Sequence, residues 1–329
     1  MHWFLTLLKP TVCASVAEAA DRSYSHVILT TKVIPDVEKT SKLLSPFLKP
    51  PYINKFTQPI YVLLQNGLNI EVDLWNALRE LNPVEEPKVI GASVFVGTRR
   101  LDKTTVEHSY FDRLQLGVYR STQNVLSNTP EETATINSIG DILKAGGTDV
   151  TVFPEIHRVK FEKNIWNAVF GPATVLAKSP LQSIFRPPQI TIDNPEFDPA
   201  TMPHAKFGDL IIPAGSQPIA ENTIPFIYDI LKEACTVGNT LFPPTEDGPV
   251  FTEETIHGIL QRTSAIASKP TSTERPSILV DVESQRPMEV EVLVGELVRI
   301  GRKLNVPIPR LEAFYAMLIV TQSELLRKS

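Results

Sequence analysis

Where the β-branched runs fall constrains this chain more than any other feature. Nearly all of them lie before residue 153, and there they alternate with helical patterns. Residues 26–31, 60–64, 89–96 and 150–153 are compact apolar runs suited to strands buried on both faces. Residues 35–48, 72–81 and 130–143 carry helical spacing between them, with Pro130 in a first turn and Gly146-Gly147 after a last one. Two shorter extended stretches, 105–110 and 114–119, follow the third strand. This alternation predicts a mostly parallel α/β sheet.

Beyond residue 155 the pattern changes. Helical periodicity dominates at 158–170, 225–240, 252–267, 288–304 and 310–327. Thirteen of the chain's 28 prolines fall between Gly171 and Pro249, so residues 179–218 read as loop. The expected organisation is an α/β domain over 1–150 and an all-α domain over 151–329, with a proline-rich insertion around 179–218.

A net charge of −5 argues against a nucleic-acid or anionic-membrane binder, which needs a basic surface. The apolar runs fall far short of the roughly 20 residues of a membrane span. Residues 1–8 are apolar but lack a basic lead-in, so they read as a packed strand or loop rather than a cleaved leader. Two cysteines, Cys13 and Cys235, fit a reducing compartment, with the cytoplasm the expected location and the mitochondrion the other. The six histidines show no i, i+4 pair, so no metal site is expected.

Three places could carry chemistry. Lys163 and Asn167 lie four residues apart, about 40° apart on one helical stripe that Gly171 continues. Their spacing alone fits a solvated face, with Glu162 and Lys160 beside them, as well as a cleft. Ser277 and Asp281 precede Arg286-Pro287 and Glu289, at what reads as a helix entrance. Lys32 and Asn66 follow the first two strands, and ligands of open α/β sheets bind outside the carboxyl ends of strands. Asn66-Gly67 is also a common turn dipeptide.

Taken in this order, the pieces resemble the ketopantoate reductases (2-dehydropantoate 2-reductases). The resemblance runs from about residue 10 to 325. It rests on Lys163, Asn167, Pro172 and Thr174, on Ser277, Asp281, Glu289 and Gly295, on Leu64-Gln65-Asn66-Gly67, and on the strand ending at Lys32. It implies an NADP-binding Rossmann-like domain followed by a helical domain of the 6-phosphogluconate-dehydrogenase type. It implies NADPH-dependent reduction of 2-dehydropantoate, or a similar 2-keto acid, to pantoate. Lys163 would be the catalytic lysine and Glu289 the catalytic carboxylate. Asn167, Ser277 and Asn66 would bind substrate, and Lys32 and Asn66 would face the cofactor. The expected partners are a small 2-keto acid and a second copy of the chain.

Two departures from that pattern stand out. Gly171 occupies the place of a second substrate-binding asparagine. None of the 15 glycines lies two or three residues from another, and the first is Gly67, so the family's G-x-G-x-x-G loop is missing. The chain reads as an N-terminally truncated relative with an incomplete sheet. Its exposed edge would be covered by residues 3–12 or by a partner. Weak NADPH binding, or none, is therefore expected. The other reading is a non-catalytic relative serving as a binding or dimerisation module.

Overall fold

A computed structural model of the protein describes residues 10–122, 124–193, 202–246 and 248–328. Residues 1–9, with the apolar opening and most of the segment expected to cover the sheet edge, lie outside them. Residues 10–12 are exposed coil.

Seven strands are described: β1 (His26–Leu29), β2 (Ile60–Leu63), β3 (Val89–Arg100), β4 (Val106–Val118), β5 (Asp149–Val152), β6 (His204–Phe207) and β7 (Leu210–Pro213). The first five form one sheet in the order β1-β2-β3-β4-β5, with β1 at its edge. β1, β2 and β3 run parallel; β3 and β4 are antiparallel; β4 and β5 are parallel again. Three of the four pairings are thus parallel. The two short extended stretches expected over 105–119 are a single long strand. It looked broken because the β3–β4 register slips between Val96 and Gly97, whose partners are Asp112 and Ser109.

Short helices α1 (Val16–Ala19), α2 (Thr40–Leu43) and α3 (Tyr52–Lys55) lead in and out of the first connection. The helix expected over 35–48 is broken: after α2 a 3₁₀ turn at Ser45–Phe47 carries Pro46, which cannot donate into an α-helical ladder. α4 (Val72–Leu81) and α5 (Pro130–Ala145) flank the sheet. α5 begins with a reciprocal cap between Thr129 and Glu132 and has Pro130 in its first turn. Strand alternation sends β2 side chains two ways. Val62 joins Ile90, Leu116, Ile136 and Ile139 under α5, whereas Tyr61 and Leu63 join the large core shared with the C-terminal helices.

The rest of the chain is α6 (Ile156–Ala177), α7 (Gln182–Phe185), α8 (Ile224–Leu241), α9 (Glu253–Ala267), α10 (Ser277–Glu283), α11 (Glu296–Lys303) and α12 (Pro309–Lys328). π-helical turns at Ile219–Thr223 and Glu291–Gly295 lead into α8 and α11. The expectation of loop through 179–218 is corrected in part: α7 and the β6–β7 hairpin lie within it. Pro213 sits at the hairpin's outer end, and the two-residue turn Gly208-Asp209, with Gly208 at φ +60°, suits the twist of the strands it joins. The expected helix 158–170 is instead 22 residues long and passes through Pro172. Residues 168–172, 174 and 175 are buried, and that packing outweighs the one backbone donor the proline removes.

One turn joins the two halves closely. Gly67 has φ +106°, and a Cβ there would lie 2.6 Å from Val292, while the next amide, Leu68 N–H, donates to Val292 O at 2.9 Å. Gly67→Ala is expected to cost roughly 1–3 kcal/mol, since strain and overpacking add. Urea unfolding of the variant checks this; a loss under about 0.5 kcal/mol would contradict it.

Candidate functional site

β1 and β2 end side by side, and their ends are fastened together by Gln65, whose Nε2 donates to Thr31 O at 2.7 Å. Lys32 and Asn66 therefore share the carboxyl edge of the sheet. Lys163 comes from the second turn of α6. Its Nζ donates to Asn66 Oδ1 at 2.6 Å and to the Val94 carbonyl on β3, and lies 5.1 Å from the centre of the Phe95 ring. The side chain is partly exposed, but the amine is held among protein groups. Burial, and next the charge of Lys160, bring its pKa down to about 8; Glu289 pulls the other way.

Glu289 is buried at 4% exposure just before the π-turn. Its Oε1 accepts from Val33 N–H at 3.0 Å. Burial holds the carboxyl above the usual range, opposed by the Val33 amide, by Lys32 and by Lys163, while Asp281 adds to the rise. Lys163 and Glu289 thus feel each other's charge without forming an ion pair within 4 Å. Lys32 is ion-paired with buried Asp281, which Arg286 also approaches at 3.2 Å. Asp281, read from sequence at a helix entrance, is buried and is the hub that ties the end of β1 to α10.

The sequence candidates separate into two groups. Lys163 and Asn66 touch; Glu289 is held to Val33 and acts on Lys163 through its charge, and Lys32 is held to Asp281. Asn167 is half-buried one turn along α6, and Ser277 is exposed at the first residue of α10. Among the described residues no hydrogen bond joins either of them to Lys163 or Glu289. Gly171 has a clear packing role: a Cβ there would meet Ile278 Cγ2 at 2.7 Å, so α10 lies where a side chain would otherwise project.

Sequence reasoning missed a second charged element. Lys160, taken for part of a solvated face, is buried and ion-paired with Glu71. The available signal was its place on α6 one turn before Asn164, beside Phe161, since Asn164 is also buried and donates from Nδ2 to Leu293 O at 2.8 Å. This pair forms part of the wall of a cavity of about 430 Å³, which His157, Phe242, Arg299 and Lys303 also line. None of Lys163, Asn66 or Glu289 lines that cavity; these candidates lie at the strand ends beside it. Among the described residues no group of three or more potential metal ligands occurs, and no helix is long and apolar enough to cross a membrane.

Comparison with known proteins gives the same picture from outside. The family model described as ketopantoate reductase PanE/ApbA matches residues 6–121, and that of its C-terminal part matches residues 212–322. An uncharacterized protein of Saccharomyces cerevisiae is 24% identical over 322 residues, covering 94% of this chain and 75% of that protein. The 2-dehydropantoate 2-reductase of Nostoc sp. is 19% identical over 286 residues, covering 87% and 72%. Among solved structures, 2-dehydropantoate 2-reductase from Methylococcus capsulatus superposes with a TM-score of 0.64 at 21% identity, covering 94% of this chain and 78% of that one. D-mandelate dehydrogenase, solved with NADH and anilino(oxo)acetate, superposes at 0.62 with 14% identity, covering 93% and 78%. At these identities the structures speak for the fold, and the two matching segments speak for the lineage: the chain belongs to the ketopantoate reductase family.

Proposed function

We propose that the cleft between the strand ends and α6 takes a small 2-keto acid of the 2-dehydropantoate kind and serves its reduction to the 2-hydroxy acid. The observation that carries this is Lys163, an amine held by Asn66 and Val94 at the carboxyl edge of the sheet. Were a nicotinamide cofactor to supply hydride to the keto carbon, the carbonyl oxygen would gain the negative charge that a proton must then neutralise. A protonated Lys163 donates a hydrogen bond to that oxygen and then delivers the proton. Asn66 and the Val94 carbonyl fix where the amine points. Glu289 and Lys32 bring one negative and one positive charge to the same rim, suited to orienting a hydroxyl and a carboxylate. Asn167 and Ser277 complete the proposed substrate contacts from α6 and α10. A homodimer formed through the helical half belongs to the same reading; one related ketopantoate reductase of known structure, from Staphylococcus aureus, is described as dimeric.

The residues described do not fit the pyrophosphate of NADPH. That group is normally held by free amides at a helix start, reached through small residues. Here the helix before β1 is the four-residue α1, the amide after Lys32 is occupied by Glu289, and the space at Gly67 is filled by Val292. This mismatch favours a second reading, in which the chain binds the keto acid but turns it over slowly or not at all.

One set of measurements separates the two. Calorimetric titration with 2-dehydropantoate should show saturable binding that Lys163→Met weakens. Titration with NADPH should show affinity weaker than micromolar. If turnover occurs, NADPH oxidation should fall as pH rises through about 8, because the deprotonated amine has no proton to give. Absence of any keto-acid binding would sink both readings. Micromolar NADPH binding would overturn the assignment of a poor cofactor grip.

A further inference from the structure

The ion pair between Lys160 and Glu71 has its side chains only 6% and 2% exposed, yet neither residue belongs to the site as the family motifs outline it. A buried pair of this kind is weak evidence for stability, because removing two charges from water offsets most of their attraction. Its placement is more informative. Glu71 stands five residues after Asn66, at the start of α4, on the chain that turns out of the candidate site. Lys160 lies one turn before Lys163 on α6. Glu71 also presses on β3: a Cβ at Gly91 would meet its Oε1 at 2.5 Å, and β3 is the strand that supplies Val94. One ion pair therefore joins the three elements that provide Lys163 and both of its hydrogen-bond acceptors.

We propose that Lys160 and Glu71 are a positioning pair for Lys163, clamping α6 to β3 and to the Asn66 turn while keeping a positive charge beside the Lys163 amine. Its meaning for turnover rests on the reading of Lys163 as proton donor; the clamp and the charge do not. The groups that face Lys163 electrostatically are few. Lys160 comes from its own helix and Glu289 from the segment before the π-turn. Lys32, Asp281 and Arg286 lie behind Glu289 and are engaged with one another. Asn66 and Val94 are uncharged, and Glu162 on α6 is exposed. Among these, Lys160 is the group whose charge works against protonation of Lys163.

The test reads Lys163 directly. Protein labelled with ¹³Cε-lysine is titrated by NMR, with the Lys163 signal assigned by its loss in Lys163→Arg. In Lys160→Met/Glu71→Met, which leaves no lone buried charge, the Lys163 midpoint should rise from about 8 by about one pH unit, a tenfold change in proton affinity. Lys160→Arg, which keeps the charge, should leave the midpoint within about a quarter of that. A folded double variant with an unmoved midpoint would overturn the proposal, as would Lys160→Arg shifting it as far as the double variant does. Should the double variant fail to fold, Lys160→Gln compared with Lys160→Arg decides it by the same criterion. A shifted midpoint in a protein that never oxidises NADPH would uphold the pair and refute the reductase reading, so the two can fail separately.

Discussion

On the reductase reading, Lys163→Met should lower 2-dehydropantoate-dependent NADPH oxidation by about 10²–10⁴-fold, the range supplied by a positioned proton donor. The effect should fall mainly on kcat, because the amine meets the oxygen most strongly once charge has developed there. The fold should hold. Methionine spans a similar length, and the two acceptors it abandons, Asn66 Oδ1 and the Val94 carbonyl, lie at the cleft. Lys163→Arg should recover little, since a planar guanidinium at that spot cannot keep the same contact with Asn66 and gives up a proton far less readily. Steady-state rates at several pH values, with thermal unfolding as a control for structure, check this. A loss smaller than about tenfold in the folded variant would remove Lys163 from the reaction.

Lys160→Met is the substitution expected to cost most stability. It leaves the Glu71 carboxylate buried with its partner gone, a change that typically costs about 3–5 kcal/mol. Glu71 is held between α6 and β3 with its side chain 2% exposed, and its one opening is toward the 430 Å³ cavity that it helps to line. The double change Lys160→Met/Glu71→Met should return most of that loss, because buried ion pairs are often replaced by apolar groups at little net cost. Urea unfolding of wild type, single and double variants gives the comparison. A single variant that loses less than about 1 kcal/mol would mean that Glu71 escapes to solvent or takes up a proton without strain.

Much of the fold was legible because the β-branched runs are short and well bounded. The runs near 26, 60, 89 and 150 all became strands, and Lys163 bonds Asn66 at the end of the second of them. What stayed hidden depended on which way a helix turns. α6 is buried on Lys160, Phe161, Asn164 and Ile165 and, past that point, nearly all round. A charged residue on such a helix cannot be told from a solvated one until its partner, here 89 residues earlier in the chain, is known. For Asn167 and Ser277 spacing says less: it sets their turn on α6 and α10, while no hydrogen bond among the described residues ties either to Lys163 or Glu289. The β6–β7 hairpin was obscured by the density of prolines around it, although its Gly-Asp turn was a readable signal.

The bonds that end on residues 289–293 bear on how the proposed substrate would get in. Val33 N–H reaches Glu289, Leu68 N–H reaches Val292 O, and Asn164 reaches Leu293 O. Two of these use main-chain amides of the sheet half as donors, and all three end on residues 289–293. Two halves joined by the main-chain amides of Val33 and Leu68 cannot rock apart as a hinge does without breaking those two bonds. On the proposed reading, entry falls to side chains at the rim, where Lys32 and Arg286, both largely exposed, pair with Asp281. The short stretch 289–293 serves as the fixed post on which both halves hang.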